Sequence, residues 1–498
     1  MKNKSNYTVF LPVLFLSFLT ITSCSDTLNW PQFRGPDSNM LPSGKNLPEE
    51  WGTDKNIKWM TELDGTGYSS PIIWGNKIFI TSAFPVKVNH VPERGPMQGP
   101  PPQGGPAPQP GQMPQPGQMP QPGQGPRPNQ MPQPGQQPQP GQMPPPGQAP
   151  QSMQQPPRPE AVDTSFKQEI YRWEVICFDL NSGKEIWKKV AYQGSPKTGK
   201  NPGSTYACET PVTDGERVYA YFGTHGLYCY DLDGRLLWEK DLGVYYTQRG
   251  WGTGSSPVLY KDVLYIQRDN EENSFLVALN AITGEEKWRV QRDEKTTYST
   301  PYIWKNKIRT EIVTCGKTAR SYDPETGKLL WEFQAGGEQV IPSPVGNDEF
   351  LFLGNAGGRQ VKAELFAVKA GADRNITNTG IAWKSSEAGL GNSSPLLYKG
   401  LLYIIGSRGE IAVLDALTGE IKYQKRISGI GGCWASPWAY KDKIYFLDEN
   451  GSTRIFPAAK PVDQLSENKL EGKFWPSPAI TNDTYIFKGA GKLYCVKK

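Results

Sequence analysis

The chain has 498 residues, of which 37% are hydrophobic and 11% aromatic, and a formal net charge of +5. This is the make-up of a folded protein, and so mild a charge, with no basic cluster interleaved with aromatics, argues against nucleic acid as a partner. Two histidines, His90 and His225, and no Cys-x-x-Cys pair argue against zinc or another His-rich metal site.

Residues 1–23 have the pattern of an export signal. Lys2 and Lys4 form a positive n-region, and Val9 to Leu19 form an apolar run too short to span a bilayer as a mature helix. The run Ile21-Thr22-Ser23-Cys24 resembles a bacterial lipobox, so Cys24 is expected to carry acyl chains after the signal peptide is removed. Nothing later in the chain is apolar enough to cross a membrane. The expected location is therefore outside the cytoplasm, lipid-anchored at the cell envelope, on the periplasmic face of a bacterial membrane.

Residues 24–55 read as an N-terminal arm. Trp30-Pro31-Gln32-Phe33-Arg34-Gly35-Pro36 and the Gly/Pro/Asn-rich run to Trp51 argue against regular structure, while the aromatic residues argue for packing on a larger body. Asn56 to Leu63 alternates like a strand and carries Trp59.

From there on, the chain repeats. Ser-Pro or Thr-Pro steps end in Pro71, Pro211, Pro257, Pro301, Pro344, Pro395, Pro437 and Pro478, and from Pro211 onward they recur every 41 to 51 residues. Each is followed by short β-like runs, as in Val258–Tyr260, Val263–Gln267 and Phe275–Asn280. Four strands per repeat at this period predicts a β-propeller. The first gap is longer because residues 86–170 are inserted between the second and third strands of the first repeat. Within the insert, 92–159 is almost entirely Pro, Gln, Gly and Met, which cannot bury enough surface to offset chain entropy. It is expected to be disordered with polyproline II character.

The turns between third and fourth strands share one pattern. Cys177 to Trp187 reads Cys-Phe-Asp-Leu-Asn-Ser-Gly-Lys-Glu-Ile-Trp, and Ala278 to Trp288 and Ser321 to Trp331 repeat its frame. Trp238, Trp383 and Tyr423 close the shorter, degenerate and tyrosine-ended versions. Asp or Asn bonds the turn backbone, Gly supplies positive φ, and Trp offers a flat face to the next blade. Cys177, Cys229 and Cys495 share one position with Ala278, Ala367 and Val413, which reads as a small buried side chain rather than half of a disulfide.

This turn pattern is similar to the tryptophan-docking motif of the quinoprotein-like propeller family, whose repeats are called pyrroloquinoline quinone (PQQ) repeats. The resemblance implies an all-β fold: an eight-bladed β-propeller of four-stranded blades over residues 56–498. Because the chain ends just after the eighth repeat's third strand, Asn56 to Leu63 is expected to complete that blade. In the docking motif, Trp59, Trp187, Trp238, Trp288, Trp331, Trp383 and Tyr423 would be the docking rings.

The family hosts enzymes and partner-binding proteins alike, so fold alone does not decide function. For an enzyme, the resemblance implies PQQ with a calcium ion, yet no Cys-Cys step and no assignable Glu/Asn/Asp set is present. No catalytic residue, cofactor or metal is therefore expected. As a lipid-tethered propeller the chain is similar to the propeller lipoprotein of the outer-membrane β-barrel assembly machinery, which implies a monomeric scaffold for an envelope or membrane protein. A carbohydrate-binding propeller is the other alternative. Any site should lie where the variable segments before each Ser-Pro step converge. These present Tyr68, Arg249, Trp251, Tyr298, Asn392, Trp434 and Trp475, while His225 reads as a turn residue.

Overall fold

The structure, a computed structural model, describes residues 29–86, 169–357, 362–458 and 464–498. The chain divides into residues 89–161 and the remainder, and every described residue belongs to the remainder. Cys24, the signal segment 1–23 and the run 92–159 lie outside the described residues. Among the described residues no helix is long and apolar enough to cross a membrane.

Eight antiparallel sheets follow one another, so the fold is an all-β, eight-bladed propeller. Blade 1 comprises Ile72–Trp74, Lys77–Pro85, Tyr171–Asp179 and Glu185–Gly194, with the insertion between its second and third strands. Blade 3 comprises Val258–Tyr260, Val263–Arg268, Ser274–Asn280 and Glu286–Arg292. The innermost strands of the others are Val212–Thr213 (blade 2), Tyr302–Lys305 (4), Val345–Gly346 (5), Leu396–Tyr398 (6), Trp438–Tyr440 (7) and Ala479–Ile480 (8). Middle strands are buried on both faces because a blade lies on either side of them: Ser274–Asn280 has one residue that is not fully buried. Outer strands alternate buried and exposed residues, as in Glu286–Arg292, because one edge meets water.

Blade 8 closes as the sequence predicts. Ile57–Glu62 pairs antiparallel with Lys492–Lys497, placing Trp59 opposite Cys495. The same pairing recurs around the ring: Trp187 faces Cys177, Trp238 faces Cys229, Trp288 faces Ala278, Trp383 faces Ala367 and Tyr423 faces Val413. A small side chain at this position leaves room for the indole, which accounts for the cysteines there. All six described cysteines are free.

Five of the docking rings reach the third-to-fourth-strand turn of the next blade. The indole N–H of Trp59 donates to the Leu180 carbonyl (3.0 Å), Trp187 to Leu232 (3.0 Å), Trp238 to Ala281 (3.1 Å), Trp288 to Pro324 (3.1 Å) and Trp383 to Ala416 (3.1 Å). Blade 8 has no such turn, since its outer strand comes from the N-terminal side. Blade 7 accordingly has Ser466, not an aromatic ring, at the docking position opposite Ile455.

Gly284 shows why the turn demands glycine. Its φ is +74°, and a Cβ there would lie 2.8 Å from the Trp238 ring. Gly400 has φ +75° with nothing within 4 Å of a Cβ. We expect Gly284→Ala to cost about 2–3 kcal/mol and Gly400→Ala only the backbone share of about 1–2 kcal/mol. Urea unfolding of the two variants separates the ring contact from the backbone cost.

Two blades depart from the expected pattern. Blade 4 has five strands, because Arg374–Asn375 in the long blade 5 turn pairs in parallel with Trp331 and Glu332. That turn covers the outer edge of blade 4, so Trp331 does not dock on blade 5 as the repeat frame predicts. It is fully buried, and its indole N–H donates to the Glu311 carboxylate of its own blade (2.7 Å).

Candidate functional site

The Ser-Pro and Thr-Pro steps that mark the repeats also make a ring. The Ser70 amide donates to the Thr210 hydroxyl (2.9 Å), Thr210 to Ser256 (2.9 Å), Ser256 to Thr300 (3.1 Å), Thr300 to Ser343 (3.0 Å) and Ser343 to Ser394 (2.9 Å). Ser436 donates to Ser477 (2.9 Å), and Ser477 to Ser70 (3.1 Å), which joins blade 8 to blade 1. Seven of the eight hydroxyls, all but that of Ser436, take up the amide of the neighbouring blade just before a proline that has no N–H to offer. Among the described residues these hydroxyls have no acceptor for their own hydrogens.

The ring girdles a cavity of about 230 Å³. Six of the residues predicted from the variable segments line it: Tyr68, Trp251, Tyr298, Asn392, Trp434 and Trp475. Tyr68 and Trp475 stack at 4.4 Å between ring centres, and Trp434 and Trp475 at 4.0 Å, forming a three-ring stack. The Trp475 indole N–H donates to Glu449 (3.3 Å), and the Tyr298 hydroxyl is buried without a partner among the described residues. Arg249 does not line the cavity. Its left-handed backbone (φ 58°) turns the side chain outward, where its guanidinium lies 5.1 Å from the Trp251 ring centre.

Sequence reasoning missed the rest of the wall, including the hydroxyl ring, Phe33, Asn201, Cys208 and Gln339. A hydroxyl before every repeat proline was the available signal. Phe33 comes from the arm, which closes one end of the channel. Trp30 makes a two-way backbone bridge to Ile73, the Pro31 carbonyl accepts from Thr213, and Asn39 exchanges hydrogen bonds with Leu397. Between these anchors on opposite blades, Arg34 is buried and donates to the carbonyls of Ser343 (3.4 Å), Pro344 (2.8 Å) and Pro395 (2.6 Å). Burial lowers its pKa to about 10. His225 sits apart in a short 3-10 turn, in tilted ring contact with Trp173 and Tyr192, and burial pushes its pKa down to about 3.

No wall residue is acidic or basic. Besides Glu449, which the Trp475 indole reaches, two ionisable groups stand just behind the wall. Glu209 accepts from the Thr253 hydroxyl, and burial raises its pKa to about 7. Lys488 donates to Ser69 and Thr81, and burial lowers its pKa to about 7. Both shifts favour the neutral forms. Among the described residues no cluster of His, Cys, Asp and Glu is placed to hold a metal ion. PQQ is a polycarboxylate and its calcium partner needs carboxylate ligands, so this uncharged donor set does not fit the pair.

Glu209 gives a pH signature. Its folded pKa lies above the unfolded value, so its contribution to stability is fully present below about pH 4.5 and is lost as pH rises through about 7. Glu209→Gln is expected to melt higher than wild type at pH 7.5, by about 2–3 kcal/mol, and to lose that advantage at about pH 4.5. Calorimetry at the two pH values checks this.

Eight sheets, indoles docked on turn glycines and an inner run of hydroxyl–amide links between blades define a PQQ-repeat β-propeller. Residues 172–303 and 308–498 match the family described as outer membrane protein assembly factor BamB, and the chain belongs to that family. It is 21% identical over 331 residues to BamB of Moranella endobia, covering 64% of this chain and 68% of that protein. It is 23% identical over 272 residues to a tetrathionate hydrolase of Acidithiobacillus ferrooxidans, covering 51% and 50% respectively. The quinohemoprotein alcohol dehydrogenase of Comamonas testosteroni shares the fold, with a TM-score of 0.57 at 10% identity, over 94% of this chain and 80% of that one.

Proposed function

We propose that this protein is a lipid-anchored binding propeller of the bacterial cell envelope, a scaffold that holds a membrane or envelope protein. Membership of the assembly-factor family carries this reading. The lipobox-like run ending in Cys24 supplies the tether and residues 1–23 the export signal. Outer strands of three successive blades supply apolar contact points in Met60, Val190 and Leu236, each more than 40% exposed. Exposed apolar side chains spread over adjacent edges suit a protein partner better than a small ligand. The uncharged cavity disfavours the PQQ-dehydrogenase alternative.

Photo-crosslinkers at Val190 and Leu236 in native envelopes are expected to trap one defined membrane or envelope protein, and Cys24→Ala is expected to move the chain to the soluble fraction. Membrane association retained by Cys24→Ala, with no specific adduct from either position, would sink the proposal.

A further inference from the structure

We propose that the channel cavity binds one neutral sugar ring, such as the end residue of a glycan. This inference is independent of the scaffold reading, because it concerns the inside of the channel and not the outer strands.

Three features of the cavity converge on that ligand class. The first is charge: no acidic or basic side chain lines the wall, Glu209 and Lys488 behind it are pushed toward neutrality, and the one carboxylate that touches a wall ring, Glu449, is held by the Trp475 indole N–H. An anionic ligand would lose its hydration there and meet no basic side chain in the wall. The second is hydrogen bonding. The ring hydroxyls accept from backbone amides and keep their own hydrogens to donate, and the Tyr298 hydroxyl has no partner among the described residues. The side-chain amides of Asn201, Asn392 and Gln339 add both donors and acceptors. Such a wall matches a ligand rich in hydroxyl groups, each of which donates and accepts.

The third feature is the pairing of flat faces with a dead end. Trp475 covers one face of Tyr68 and one of Trp434, so each end ring of the stack has a second face that Trp475 does not use. Aromatic faces hold the C–H side of a sugar ring, while its hydroxyls reach polar groups at the edge. The volume of about 230 Å³ lies below the roughly 300–1,000 Å³ of pockets for drug-sized ligands. Phe33 lines the cavity and Arg34 ties the arm to blades 5 and 6 beside it, an arrangement that disfavours threading of a polymer. An extended peptide needs a groove, whereas one terminal ring needs a blind pocket.

Tryptophan fluorescence and calorimetry of the mature chain provide the test, with glucose, galactose, mannose, N-acetylglucosamine and their methyl glycosides as probes and glucuronate as the charged control. At least one neutral probe is expected to bind saturably below about 50 mM, with glucuronate at least about tenfold weaker. Trp434→Ala should weaken binding by about tenfold or more. Asn392→Leu, which keeps the volume and removes the amide, should weaken it several-fold and remains available if Trp434→Ala does not fold. Trp238→Phe, at a blade interface, should leave binding unchanged. The proposal is overturned if no neutral probe saturates, if glucuronate binds as tightly, or if folded Asn392→Leu binds like wild type. None of these results bears on crosslinking at Val190 or Leu236.

Discussion

Trp331→Ala is expected to destabilise the protein by about 4–5 kcal/mol, the largest loss from any docking position. Trp331 is wholly buried, whereas Trp288 in the neighbouring blade keeps part of its surface in water. Truncation therefore removes a full indole from the core and leaves a cavity that the blade 5 turn, pinned by the Arg374–Asn375 pairing, cannot collapse to fill. It also removes the indole donor to Glu311, a buried carboxylate that would retain Ser321, Arg309 and Asn306 as partners. Trp288→Ala should cost about 2–3 kcal/mol, because its ring is only partly withdrawn from water. Trp331→Phe should recover most of the packing but not the hydrogen bond, leaving a deficit of about 1–3 kcal/mol. Urea unfolding of the three variants is the check; equal losses for Trp331→Ala and Trp288→Ala would contradict the distinct role given to blade 4.

The second large effect is expected at Arg34. Arg34→Ala should cost about 3–4 kcal/mol, because three carbonyls deep in the channel lose a charged donor and a gap opens behind the cavity. The same change should loosen the arm. Trp30 and Asn39 remain anchored on opposite blades, but the segment between them loses its central fixture. Limited proteolysis is expected to cut the variant within 29–40 well before any blade is cleaved, while wild type stays intact there. Arg34→Lys should rescue only part of the loss, since one ammonium cannot reach carbonyls of two blades with the spread of a guanidinium. Full rescue by lysine would show that charge alone matters at this position.

These two residues also mark where the sequence stops being informative. Blade number and the place of the insertion follow from the repeat period, and Ile57–Glu62 is legible as a strand from its alternation and from Trp59, which matches the docking position of the other repeats. Five indoles dock as the turn motif predicts, each beside a turn whose sequence is local and complete. Trp331 carries the same motif and behaves differently, since its environment is set by the long blade 5 turn some forty residues away. The hydroxyl ring was visible only as punctuation before each proline. Its bonds join residues of different blades and exist only once the ring closes. Arg34 and Phe33 stood in a stretch readable as an arm, but nothing in that stretch tells which carbonyls the guanidinium meets. Arg249 misled for the opposite reason: adjacency to Trp251 in sequence suggested a shared wall, but from its left-handed backbone Arg249 packs against the Trp251 ring without lining the cavity itself.

The channel cavity is lined by uncharged side chains, a donor set that does not fit PQQ with calcium. Equilibrium dialysis of the mature chain against PQQ with calcium, followed by the absorbance of the quinone, tests this most directly. No retention is expected at about 100 μM PQQ, and no dye reduction with alcohols or aldoses. One PQQ retained per chain, with calcium-dependent dye reduction abolished by Trp475→Ala, would contradict it.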